Sequence, residues 1–337
     1  MRRKHSNLMR LLPVLVIAAG VVATSSVVAA KRSNAQTNGH TAQHTYTISD
    51  NVDLVVLDVS VRDRRGGYVS GLRKSDFQVW EDGQARKITE FANVDAPVTI
   101  GLVVDNSGSM RFKRPEVTLA GLAFAKESNP HDEFFVVNFN NYVTRGLPAR
   151  LAFTDDLQTL RSALYYGQAE GQTALYDAIA YSLEHLERGH HEKRTLIVVS
   201  DGGDNVSRTP LPQLMKLIEA SRATIYTVGL YDPEDRDLNP GVLRSIARIS
   251  GGQFFEPAAL SEIIPVFDKI SKDIRSRYTI GYIPDEANDK RVVRTVKVTA
   301  GQHSRKLAVK SRTSYTIVPL SQLVAQEGHK EMLERPR

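Results

Sequence analysis

The sequence contains no cysteine, so no disulfide can hold its fold, and stability has to come from burial of an apolar core. It has a single tryptophan, Trp80, which is expected inside that core. Beyond residue 30 there is no apolar run long enough to cross a bilayer. Nor is there a cluster of Lys and Arg interleaved with aromatics, which argues against nucleic acid as a partner. The formal charge of +6 misleads on this point. Arg2, Arg3, Lys4 and Arg10 stand in a stretch without acids, and setting them aside leaves the bases only two ahead of the 38 acids. No internal repeat is visible, and no GxSxG segment offers the elbow of a serine hydrolase.

With 337 residues, 41% hydrophobic and 24% charged, the chain suits one large folded domain or two modest ones. Residues 1–30 read as an export signal: basic to Arg10, apolar from Leu11 to Ala23, and small at Val28-Ala29-Ala30. Cleavage is expected after Ala30, with Ala35 as a second candidate. If the segment stays uncleaved it is an N-terminal anchor, although Thr24, Ser25 and Ser26 make it a poor span. Either way the rest of the chain is expected outside the cytoplasm, periplasmic or secreted, and touches membrane only through this segment. Residues 31–45 read as a polar linker.

From Tyr46 the pattern is that of β-structure. Val55, Leu57, Val59 and Val61 alternate with Val56, Asp58, Ser60 and Arg62, the period of a half-buried strand. Asp82-Gly83 marks a turn between Phe77–Trp80 and Lys87–Phe91. At Val98–Val104 the pattern changes to a continuous apolar run, as in a strand buried on both faces. Phe134–Phe139, Thr195–Val199 and Thr224–Leu230 are further strands. Between them lie helical faces: Leu157/Leu160/Leu164, Leu175/Ile179/Leu183/Leu186, Leu214/Leu217/Ile218 and Ile263/Phe267/Ile270/Ile274. Alternating strands and helices predict an α/β domain over residues 97–276, a doubly wound, mostly parallel sheet. From Arg277 strands return at Tyr278–Ile283, Val292–Val298 and Leu307–Val309, with a turn at Pro284–Asp289. The β-rich segments 46–96 and 277–316 are each too short to bury a face alone. They are expected to pair as a smaller β-sandwich-like unit into which the α/β domain is inserted. Residues 317–337 are expected to form a mobile polar tail.

The chemistry gathers where strands end. Asp105-Asn106-Ser107-Gly108-Ser109 follows the first buried strand, and a carboxylate and two hydroxyls at i, i+2 and i+4 can converge on one point. Gly171-Gln172-Thr173 places a third hydroxyl just before a helix, and Ser200-Asp201-Gly202 a second carboxylate after another buried strand. Ligands of open α/β sheets bind at the carboxyl ends of strands. Oxygen-only donors of this kind favour Mg²⁺, Mn²⁺ or Ca²⁺ over Zn²⁺. Taken singly, the Asp105–Ser109 loop could be a turn, Thr173 a helix cap and Asp201-Gly202 a turn. Asp177, one helical turn after Thr173, is placed to orient the loop or simply to be solvated. Asp204 could add charge at the rim, although solvation in a loop is the plainer reading. His190-His191 reads as a polar pair.

Asp105-x-Ser107-x-Ser109, Thr173 and Asp201, in this order and on these elements, resemble the metal-ion-dependent adhesion site of von Willebrand factor type A domains. The resemblance covers about residues 97–276. It implies that Ser107, Ser109 and Thr173 bind Mg²⁺ (or Mn²⁺, with Ca²⁺ an option) directly, and that Asp105 and Asp201 act mainly through water. The flanks, Gly71–Gly83 and Arg277–Tyr282, resemble the exported bacterial proteins called acidobacterial VWFA-related. The resemblance implies a non-enzymatic binding module in which an Asp or Glu of a protein or surface ligand completes the metal's shell. A haloacid-dehalogenase-like phosphatase would also use an Asp after a buried strand, but it needs a second Asp where Ser107 stands. A third reading is an envelope component whose metal is structural.

Overall fold

A computed structural model describes residues 54–201, 203–231, 239–284, 292–302 and 305–326. The segments expected to be an export signal and a linker, residues 46–53, Gly202, most of the turn expected at Pro284–Asp289 and residues 327–337 lie outside these residues.

Four strands come first: β1 (Val55–Arg62), β2 (Phe77–Glu81), β3 (Gln84–Arg86) and β4 (Ile88–Ala92). Strands and helices then alternate: β5 (Val98–Asp105), α1 (Arg114–Glu127), β6 (Glu133–Phe139), β7 (Val143–Arg145), α2 (Leu157–Leu164) and α3 (Leu175–Leu186). The series continues with β8 (Lys193–Ser200), α4 (Leu211–Ala220), β9 (Thr224–Gly229), α5 (Pro240–Ser250), β10 (Phe254–Phe255) and α6 (Ile263–Arg275). Last are β11 (Tyr278–Tyr282), β12 (Val293–Gln302), β13 (Arg305–Lys306), β14 (Ala308–Lys310), β15 (Ser314–Thr316) and α7 (Leu320–Gln326).

The central sheet runs β10-β9-β8-β5-β6-β7, parallel throughout except for β7. All eight residues of β5 are buried, as expected of a strand covered on both faces. Val103 sits in register between Val137 of β6 and Val198 of β8. The expected helical faces of α3, α4 and α6 pack into this core. On α2 only Leu160 and Leu164 do so, while Leu157 is exposed, because its position opens the helix. Besides α5, whose Val242, Leu243 and Ile246 join this core, two helices lie outside the expected faces. One is α1, whose Val117–Ala125 stretch is apolar almost all round and packs on α6 and α2. The other is α7, which lies within the segment expected to be a tail. Its Leu320 is buried, and Leu323 and Val324 pack on the same core, the i, i+3, i+4 spacing of a short helical face.

The flanking strands form two further sheets, one ordered β14-β1-β11-β4 and one in which β12 pairs with β2, β13 and β15. In the first, β11 lies between β1 (Ile280 opposite Leu57) and β4 (Ile280 opposite Phe91). In the second, Val298 lies opposite Val79. The chain turns through Asp82 and Gly83, both at positive φ, and pairs β3 with β2. It then passes to the other sheet, so β2 and β4 are not hairpin partners. Leu57, Val59, Val61, Phe77, Val79, Tyr278, Ile280 and Tyr282 form the shared core. Trp80 is not in that core. It alternates with Phe77 and Val79, so it falls on the opposite face of β2 and is only half-buried. The neighbouring inward position is the buried Glu81, which accepts from the hydroxyls of Tyr282 (3.1 Å) and Tyr315 and from Arg86 (2.9 Å).

A second buried polar group joins these sheets to the α/β core. Asp273 of α6 is fully buried and accepts from Ser60 (2.7 Å) and Arg62 (3.1 Å) of β1 and from Tyr226 (2.6 Å) of β9. Arg277 donates to it at 2.7 Å and reaches Asp58 O and Gly251 O as well.

Candidate metal centre

In the central sheet, the chain from β5 proceeds outward to β6 in one direction, while β8, β9 and β10 add on the other. The strand order therefore reverses between β5 and β8, and the crevice beyond the carboxyl ends of such a pair is where open α/β sheets bind ligands. Asp105 ends β5, and Asp201 follows the last residue of β8. Both carboxylates thus flank the reversal.

Asp105 is fully buried. One of its oxygens accepts from the Ser107 N–H at 2.7 Å and the other from the Ser200 hydroxyl at 2.6 Å. The first bond bends the chain after β5 so that the Ser107 hydroxyl lies 3.1 Å from that of Ser109. Ser109 in turn donates to Asp201. Asp105, Ser107 and Asp201 are buried while Ser109 is exposed, so the group opens to solvent on the Ser109 side.

Thr173 comes from a different loop. Gly171 accepts from Gly108 N–H at 3.1 Å, which brings the segment before α3 against the Ser107–Ser109 loop. Gly171 stands at φ +80°, and an added Cβ would lie 2.0 Å from Asn141 Oδ1, the atom that accepts from Gln172 N–H. Glycine is therefore required for this approach. On its other side, Thr173 donates its N–H to Asn205 Oδ1 (2.9 Å) and accepts at its carbonyl from Asn205 N–H (3.1 Å). Its hydroxyl does not cap α3: the N-cap is Ala174, and the Tyr176 N–H is taken by Asp204 from the loop after β8. No hydrogen bond among the described residues engages that hydroxyl.

Asp204 and Asp177 both hold backbone of neighbouring segments. Asp204, half-buried, caps α3 and accepts from Ser207. Asp177 accepts from Arg208 N–H (3.0 Å) and Thr209 N–H (2.9 Å), so it holds the loop that carries Asn205. His190 bonds Glu133, and His191 bonds the carbonyl of His131, both away from the strand ends that carry the site. Asn106 was not singled out by sequence. It is buried, its amide holds Tyr166 O at 3.2 Å, and its carbonyl accepts from Glu170 N–H, so it ties a third loop to the site.

The electrostatics favour a cation. Burial, and next the charge of Asp201, push the Asp105 carboxyl up to about 7 against the pull of its bonds to Ser107 and Ser200. Among the described residues no Lys, Arg or His forms an ion pair with Asp105 or Asp201, and no group of three or more His, Asp or Glu offers an alternative cluster for a metal. Two carboxylates and three hydroxyls, all hard oxygen donors, fit one divalent ion and match its charge.

Residues 100–203 match the family model described as von Willebrand factor type A domain. No curated protein matches the chain. Among solved structures, a von Willebrand factor type A protein from Catenulispora acidiphila is 14% identical with a TM-score of 0.48, over 80% of this chain and 75% of that one. Proximal thread matrix protein 1 from the mussel byssus, with a zinc-occupied MIDAS motif, is 17% identical with a TM-score of 0.44. That match covers 54% of this chain and 49% of the mussel protein, so the chain spans about half the mussel protein's length. The vWF domain of the type V pili tip protein Mfa5 from Porphyromonas gingivalis is 15% identical with a TM-score of 0.43, over 54% and 96%.

Proposed function

We propose that the von Willebrand factor type A domain this chain carries over residues 100–203 is a metal-dependent binding module rather than a catalyst. Ser107, Ser109 and Thr173 hold a Mg²⁺ or Mn²⁺ ion directly, and Asp105 and Asp201 act through water. A carboxylate of a partner protein completes the shell. The observation behind this reading is the run of contacts from Ser107 through Ser109 to Asp201 beside the buried Asp105, where the strand order reverses, with the segment before Thr173 held against that loop. Thr173 adds to it, because Asp204 has relieved it of capping duty. Ser107 stands where a dehalogenase-like phosphatase needs a second acid, which disfavours that chemistry. The basic, apolar and small order of residues 1–30 supports action outside the cytoplasm, and the Gly71–Gly83 and Arg277–Tyr282 segments support kinship with the acidobacterial VWFA-related proteins. Among the described residues no helix is long and apolar enough to cross a membrane.

Calorimetric titration of Mn²⁺ into the native chain and Thr173→Ala tests the site. Binding in the first and none in the second is expected, and equal affinity refutes the assignment. A thermal melt in chelator separates the roles of the ion: a fold that persists supports an ion used for binding, and collapse points to a structural metal.

A further inference from the structure

Four aromatic side chains stand among the large hydrophobic residues exposed on the described surface: Phe112 (84% exposed), Tyr142 (76%), Tyr166 (54%) and Tyr165 (51%). The remaining exposed ones are aliphatic and lie elsewhere in the sequence. All four aromatics belong to the loops that build the candidate metal centre. Phe112 follows Ser109 by three residues, and its neighbour Arg111 bonds Ala169 O at 3.3 Å. Tyr142 follows Asn141, the side chain that holds Gln172 N–H beside Thr173. Tyr166 is bound through its carbonyl to Asn106, which lies between Asp105 and Ser107. Single exposed apolar side chains are ordinary on a protein surface, but several large ones gathered on the loops of one site mark a surface that something else covers. A cleft of about 360 Å³, lined by Arg111, Arg114, Tyr165 and Glu170 among others, separates the Phe112 and Tyr165 loops.

We infer that these four aromatics form a docking rim around the metal centre, and that the partner is a protein segment whose Asp or Glu is flanked by apolar side chains. The inference rests on the metal-dependent reading above and specifies its partner. The carboxylate meets the ion on the open Ser109 side, and the flanking apolar residues cover Phe112, Tyr142, Tyr165 and Tyr166. One of them enters the cleft beside Tyr165. Aromatic side chains at an interface centre carry a disproportionate share of binding energy, because they bury large area at little entropic cost. A protein segment fits better than a saccharide. Phe112, the most exposed of the four, has no polar tip to bond a sugar hydroxyl, and the rings sit on three separate loops.

Selection from a display library of random linear peptides on the full chain in Mg²⁺, with elution at low pH and each recovered peptide then assayed in Mg²⁺ and in EDTA, tests this. The expected peptides carry Asp or Glu within about three residues of aromatic or aliphatic side chains. The quadruple variant Phe112→Ser/Tyr142→Ser/Tyr165→Ser/Tyr166→Ser should bind them at least about thirtyfold more weakly, the loss of a single hot-spot residue. Its Mn²⁺ affinity should stay as in the native chain and its melt should fall by only a few degrees, since Phe112 and Tyr142 are largely exposed and Tyr165 and Tyr166 about half. Acidic peptides with no apolar preference, peptide binding unchanged in the variant, no enrichment at all, or retention of an acidic polysaccharide such as alginate in place of peptides would each overturn the inference. The two readings fail separately. Binding that resists EDTA but is lost in the quadruple variant removes the metal and keeps the rim. Binding that needs the metal but ignores the variant does the reverse.

Discussion

Thr173 and Asp177 sit one helical turn apart and serve the same loop in different ways. Thr173 contributes a hydroxyl that the fold itself does not use, so Thr173→Ala should cost stability no more than about 1 kcal/mol. The native chain at a Mg²⁺ concentration about a hundred times its dissociation constant should gain roughly 2.7 kcal/mol in unfolding free energy, and the variant should gain none. Urea unfolding with and without Mg²⁺ measures both. Asp177→Ala removes the carboxylate that accepts from the Arg208 and Thr209 N–H groups. It should therefore destabilise the metal-free protein by about 1–3 kcal/mol, more than Thr173→Ala does. The sequence could place Asp177 on the Thr173 face, but it could not show which backbone groups the carboxylate would meet, since those come from a loop about thirty residues away.

Between elements, the Asp273 group fastens α6 and β9 to β1. Burial opposes its charge, but Arg277, Tyr226 and Ser60 more than compensate and hold the carboxyl well below the usual carboxylate range. A folded-state value below the unfolded one adds stability that is complete above the unfolded value, about 3.9, and fades as pH falls toward the folded value. Asp273→Asn should lack this acid-sensitive part. At neutral pH it should also be destabilised by about 3–5 kcal/mol, because Arg277 stays buried without its counter-charge. Denaturant unfolding from pH 7 down to about pH 3 checks both the size and the slope; equal slopes in the two proteins would contradict this account. The end of α5 supplies a second element-scale case. Gly251 has φ +81°, and an added Cβ would lie 2.3 Å from the backbone N of Arg312. Gly251→Ala should therefore cost more than the roughly 1–2 kcal/mol of the left-handed conformation alone.

On the scale of the whole molecule, β11 is the strand on which the N-terminal sheet depends, since β1 pairs with it on one side and β4 on the other. A chain truncated after Ser276 loses this strand and also β12, the partner of β2. Limited proteolysis of such a chain should cut within residues 54–92 at conditions where the full chain resists. Equal protection would show that the N-terminal strands fold without their distant partners. N-terminal sequencing of the native protein from fractionated cells should begin near Lys31 or Gln36, and an intact Met1 on cytoplasmic material would count against export.

The sequence alone determined the kind of β1, β5, α3, α4 and α6, because the period of apolar residues is a local property. The alternation through Leu57, Val59 and Val61, the unbroken run of β5 and the Leu175–Leu186 face of α3 are all present as read. It also placed Asp105, Ser107, Ser109, Thr173 and Asp201 at strand and helix ends, since their neighbours in sequence mark those ends. It could not mark α1, where apolar residues surround the helix, nor set Trp80 outside the core, because which face of β2 is inward depends on the opposing sheet, where Phe77 meets Phe91 and Tyr278. The reversal of strand order between β5 and β8, the transfer of Asp204 to cap α3 and the gathering of Phe112, Tyr142, Tyr165 and Tyr166 on one end were decided by tertiary structure. Each joins residues tens of positions apart, and no local periodicity encodes which of them will meet.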